Sequence, residues 1–139
     1  MNRNILIDQL KRDEGLKLRP YLCTAGKLTI GHGRNLEDNG ISREEAEQML
    51  QNDIDDVVAE LGAIRQFNYL DPIRQTVLAN MAYNLGVPTL KKFRNMLANI
   101  SLGDYNEAAK EMLDSKWARQ VGDRAIRLAE IMKTGEVAK

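Results

Sequence analysis

The chain is poor in cysteine, histidine, proline and aromatic residues. Cys23 is the one cysteine in 139 residues, so no internal disulfide can form, and folding in a reducing compartment is expected. His32 is the one histidine. One Cys and one His fall short of the usual zinc ligand set, so no metal and no cofactor are expected. Proline occurs only at positions 20, 72 and 88, and aromatics make up 5% of the chain. There is no low-complexity linker and no internal repeat. Neither sign of charge dominates, with 20 Lys+Arg against 20 Asp+Glu. A basic footprint is the minimum sign of a nucleic-acid partner, and it is missing. No apolar run approaches a membrane span. The start, MNRNILIDQLKRDEG, meets charge at Asp8, too early for a signal peptide. The expectation is a chain held in the cytoplasm where it is made, with no stable membrane association.

What is present suits a folded enzyme-sized domain. Hydrophobic residues make up 43% and charged residues 29%, enough for a core and too much apolar content for disorder. Residues 4 to 14 read as a short helix with Leu6, Leu10 and Glu14 on one face, stopped by Gly15. From Leu16 to about Leu36 the pattern turns to strands, with LTI at 28 to 30 and punctuation at Pro20, Gly26, Gly31 and Gly33. This predicts a small hairpin or three-stranded sheet. Ser42 and Glu45 form a capping box for a helix to about Leu61. Asp71-Pro72 starts another, ending at Gly86. Further helices are expected over about 89–100, from Asp104 to about Leu113, and from about Asp123 to Lys133, with a short turn or helix around Trp117. The predicted class is α+β, mostly helical.

The stretch DEGLKLRPYLCTAGKLTIGHG gathers the residues that can carry chemistry. Glu14 lies in the last turn of its helix, on the face of Leu6 and Leu10. The negative end of the helix dipole disfavours a carboxylate there, and burial would add to this. A carboxyl kept in its acid form suits general acid catalysis, whereas a surface glutamate beside a capping glycine is the plain reading. Cys23 is by default a small buried hydrophobe. A nucleophilic pair with His32 needs an orienting group and an oxyanion hole, and no motif supplies them. Thr29 is by default an ordinary strand threonine. His32 is best read as a hairpin side chain.

Together these residues resemble the signature of the phage-type lysozymes, glycoside hydrolase family 24. The family pattern is Glu, eight residues, Asp or Cys, five residues, Thr, and Glu14, Cys23 and Thr29 meet it. RQTVLANMAYNLG at 74 to 86, KKFRNML at 91 to 97, YNEAAKEMLDSKW at 105 to 117 and GDRAIRLAEIMKTG at 122 to 135 resemble later family segments in order. The resemblance implies a lysozyme-like two-lobe fold over 1–139. A small antiparallel β lobe (about 15–61) and a helical lobe (about 1–14 and 62–139) would flank a cleft. It implies hydrolysis of the β-1,4 bond between N-acetylmuramic acid and N-acetylglucosamine in peptidoglycan, with inversion, leading to host cell lysis.

By the same resemblance, Glu14 is the general acid, Thr29 positions the attacking water, and Arg124 pairs with the glutamate on the substrate side. Asn84 is a polar substrate-side residue, and Tyr83 contacts sugar. Cys23 stands where many glycosidases keep a second carboxylate, and base, nucleophile and packing roles stay open for it. Arg34 stands where some relatives carry histidine, so His32 inherits no role. A separate membrane-permeabilising protein is expected to give the enzyme passage, and a monomer is expected. Zero net charge implies weaker long-range attraction to anionic walls and less inhibition by salt. Two alternatives are a lytic transglycosylase, which needs one acid only, and an inactive peptidoglycan-binding module.

Overall fold

The computed structural model describes residues 1–137. The chain is α+β and mostly helical, with one three-stranded antiparallel sheet. The chain divides into two compact units, Met1–Met49 and Leu50–Lys139. Among the described residues, no helix is long and apolar enough to cross a membrane.

In the first unit, helix α1 (Arg3–Glu14) starts at Asn2, whose side chain accepts the Ile5 amide. That satisfies one of the donors a helix start leaves without an intrahelical partner. Gly15 ends the helix with φ 71°, and its amide bonds to the Lys11 carbonyl. The expected burial of the Leu6–Leu10–Glu14 face is corrected here. No residue of α1 is buried, and Glu14 is exposed. The cause is local composition. After Leu10 the helix holds only Lys11, Arg12, Asp13 and Glu14, so its last turn has no apolar side chain to bury.

The sheet has β1 (Lys17–Leu22), β2 (Leu28–Gly31) and β3 (Arg34–Asn35), in the order β1-β2-β3. Pro20 lies in edge strand β1, where the pairing register with β2 slips between Lys17 and Tyr21. Proline has no N–H for the ladder, so an irregular edge is where a strand tolerates it. Thr29 sits on the central strand, opposite Tyr21 on one side and Asn35 on the other. It is 3% exposed.

A short α2 (Leu36–Asn39) follows, started by the Asn35 side chain on the Asp38 amide and stopped at Gly40. Sequence patterning did not anticipate it; at this length, capping rather than periodicity defines a helix. Helix α3 (Arg43–Leu61) has the expected capping box: Glu45 N–H donates to Ser42 Oγ at 3.1 Å, and Ser42 N–H to Glu45 Oε1 at 2.8 Å.

The second unit contains α4 (Arg65–Tyr69), α5 (Pro72–Leu85), α6 (Val87–Leu90), α7 (Arg94–Ser101), α8 (Tyr105–Leu113), α9 (Lys116–Val121) and α10 (Asp123–Thr134). Asp71 caps α5 by accepting the Arg74 amide, with Pro72 in the first turn. Every buried hydrophobic residue described lies between Leu61 and Met132. Helix α5 supplies Val77, Leu78, Met81 and Ala82 to that core, against α10, which supplies Leu128 and Met132. Each large side chain so buried stabilises by about 1.5–3 kcal/mol.

The helix expected over 89–100 is instead two, α6 and α7. Phe93 between them has φ −77° and ψ 60°, outside the helical region. Its ring meets Trp117 edge-on, with centroids 6.4 Å apart, and both α6 and α7 send side chains into the core. Around Trp117 the short helix α9 forms, capped by Ser115 on the Ala118 amide.

Candidate active site

Glu14 ends α1, and its side chain lies against the backbone of Gly33. A Cβ built at Gly33 would stand 2.5 Å from Glu14 Oε2, 2.8 Å from Cδ and 3.0 Å from Cγ. Any L side chain there would push the Glu14 side chain aside. Gly33 also has φ 76°, a conformation that favours glycine. The backbone thus favours glycine at 33, and only glycine leaves the Glu14 side chain where it is.

Beside it, His32 Nδ1 lies 2.7 Å from the Gly15 carbonyl oxygen. A carbonyl can only accept, so Nδ1 carries the hydrogen and donates. On the other flank of the turn, the two terminal nitrogens of Arg34 each reach a carboxylate oxygen of Glu45 at 2.5 Å. This bidentate pair, helped by the Ser42 amide, holds the Glu45 carboxyl down at about 2.

Cys23 opens the β1–β2 turn. Its amide donates to the Lys27 carbonyl at 3.0 Å, and its carbonyl accepts from Gly26 at 2.8 Å. The thiol is half-buried. Its pKa lies below the usual thiol value, because hydrogen bonds from the backbone of Lys27 and then Ala25 favour the thiolate. Burial opposes them, and the Thr29 hydroxyl adds to them. The Thr29 hydroxyl also donates to the Lys27 carbonyl at 2.8 Å. Cys23 and Thr29 both bond to the Lys27 carbonyl, Cys23 through its amide and Thr29 through its hydroxyl.

In the second unit, Arg124 on α10 donates from Nε to Asn80 Oδ1 at 3.0 Å, and from Nη2 to the same oxygen at 2.8 Å. Asn80 is on α5, three residues before Tyr83. Asn80, Tyr83 and Arg124 line one groove of about 530 Å³, whose other walls are mostly apolar. Tyr83 is 47% exposed there. Asn84 is turned elsewhere: its Oδ1 accepts the Trp117 indole N–H at 3.0 Å. The expected trio therefore separates into Tyr83 with Arg124, and Asn84 with Trp117. Sequence reasoning missed Asn80 and Gly33. Asn80 had a readable signal, since it precedes Tyr83 by one helical turn. Among the described residues, no group of three His, Cys, Asp or Glu could hold a metal ion.

Residues 11–130 match the phage lysozyme family. The chain belongs to that family, a family of glycoside hydrolases. It is 30% identical to the pre-baseplate central spike protein Gp5 of Enterobacteria phage T4, over 95% of this chain and 28% of that protein. The match thus spans under a third of that relative's length. It is 29% identical to probable T4-type lysozyme 2 of Dictyostelium discoideum, over 94% of each chain. It is 30% identical to the endolysin of Acyrthosiphon pisum secondary endosymbiont phage 1, over 94% of this chain and 89% of that one.

Proposed function

We propose that this chain is an endolysin-type muramidase that hydrolyses the β-1,4 bond between N-acetylmuramic acid and N-acetylglucosamine of bacterial peptidoglycan. Glu14 donates a proton to the glycosidic oxygen as its bond to C1 breaks. Water held by Thr29 attacks C1 from the opposite face and gives its proton to the Cys23 thiolate. The product is the inverted hemiacetal, and proton exchange with solvent resets both groups. Tyr83 and Arg124 contact the glycan from the groove they line, and Asn84 acts by holding the Trp117 indole. The enzyme works as a monomer and reaches the wall through a membrane opened by a separate protein.

The observation that carries this reading is the match of residues 11–130 to the phage lysozyme family, which takes in Glu14, Cys23 and Thr29 at the expected spacing. Backbone amides of Lys27 and Ala25 and the Thr29 hydroxyl lower the pKa of the Cys23 thiol, the direction a base at the position of the second carboxylate requires. Membership of the phage lysozyme family supports the substrate class. Digestion of purified peptidoglycan, followed by mass spectrometry of the soluble fragments, tests it. Reducing muramic acid ends carrying one added water are expected. Anhydro ends would mean a transglycosylase instead, and the absence of soluble fragments would mean a binding module.

A further inference from the structure

We propose that His32 is a positioning residue for Glu14, acting through the Gly15 carbonyl. The proposal rests on the reading of Glu14 as the acid. Glycine has the freest backbone of any residue, and Gly15 directly follows Glu14. Its amide is held by the Lys11 carbonyl at 3.0 Å. Its carbonyl is held by His32 Nδ1 at 2.7 Å. The residue is thus tethered at both ends, and only the second tether comes from outside α1.

The same tether acts on the seat of the carboxyl. His32 is the tip of the turn between β2 and β3, and Gly33 follows it. The Glu14 carboxyl packs on Gly33 so closely that a Cβ there would displace it. Arg34 then pins the far side of the turn to Glu45 on α3. His32 holds the near side of the turn to the end of α1. Released, the turn and the last turn of α1 can drift apart, and the carboxyl loses a fixed position. A small displacement of a catalytic group costs rate far more than it costs stability. His32 is exposed, so its bond adds little to the fold.

The test compares three variants on soluble glycan fragments, with kcat and KM measured separately and folding followed by circular dichroism. His32→Ala is expected to lower kcat about tenfold, with KM within about twofold and an unchanged melting curve. His32→Asn places an amide nitrogen where Nδ1 stood and is expected to restore most of the rate. His32→Gln places it further out, where Nε2 stood, and is expected to behave like alanine. Wild-type kcat in His32→Ala overturns the proposal. Equal rates in the Asn and Gln variants overturn it too, and that comparison stands even if the alanine variant fails to fold. Glu14→Gln run alongside separates the two levels: if it keeps its rate, the acid reading falls, and the role of His32 falls with it. If it is inactive while the His32 series shows no pattern, only the positioning role falls.

Discussion

The carboxyl of Glu14 rests on the bare Cα of Gly33, so close that a Cβ there would stand 2.5 Å from Oε2. The contact joins the end of a helix to the tip of a hairpin. It places Gly33 in the proposed site alongside the glutamate.

Gly33→Ala should therefore fail twice. The left-handed φ of 76° costs an L residue roughly 1–2 kcal/mol, and the methyl would push the Glu14 side chain off its seat. Chemical denaturation should show a loss of that order, and kcat should fall by more than the stability loss explains. A Gly33→Ala enzyme with normal kcat would show that the contact is incidental.

Cys23 should leave its mark on the pH–rate profile. A base works when deprotonated, and its pKa is lowered from the usual thiol value. The rate should therefore rise with pH through a limb that lies below the ordinary thiol range. Cys23→Asp should stay active and carry that limb down toward about 3.9, the usual carboxylate range. Cys23→Ser should lose about a hundredfold or more. A serine variant at full rate would leave the thiol a packing role only.

Acid should loosen the first unit before Glu45 itself is fully protonated. Its folded pKa of about 2 lies below the ordinary 4.5. The pair with Arg34 thus contributes stability that is complete above about 4.5 and fades as pH falls toward about 2. Arg34→Ala should remove this part of the acid dependence, and high salt should weaken it because the pair is half exposed. Amide exchange in the β2–β3 turn, followed across this range, would show it.

How far the sequence foretold this differs by residue. The capping pairs Ser42–Glu45 and Asp71–Pro72 could be read directly, because a cap is a short-range bond between neighbours in the chain. The Glu14, Cys23 and Thr29 spacing could be read as a family pattern. The seat at Gly33 could not, because it depends on a hairpin folding back nineteen residues later onto the end of α1. Nor could the exposure of Glu14 be read. Its helical spacing from Leu10 suggested a buried face, while the charged run from Lys11 onward removed one. The break at Phe93 was hidden for a similar reason: tertiary packing against Trp117 overrode a sequence that reads as continuous helix.

Asn84 should prove structural. Trp117 is 3% exposed, and its indole N–H has Asn84 as acceptor. Asn84→Ala should destabilise by about 1–3 kcal/mol, since a buried donor then lacks a partner. Trp117 is the one tryptophan, so its fluorescence reports the unfolding cleanly. An unchanged midpoint would mean that water replaces the lost acceptor.

The central claim is that Glu14 supplies the proton that cleaves the glycan. The most direct measurement is the rate at which Glu14→Gln releases soluble fragments from purified peptidoglycan, with the wild type alongside. The glutamine keeps the shape and can no longer act as an acid. A fall of about a hundredfold or more, with folding intact, is the predicted result. Release at a rate near that of the wild type would contradict it.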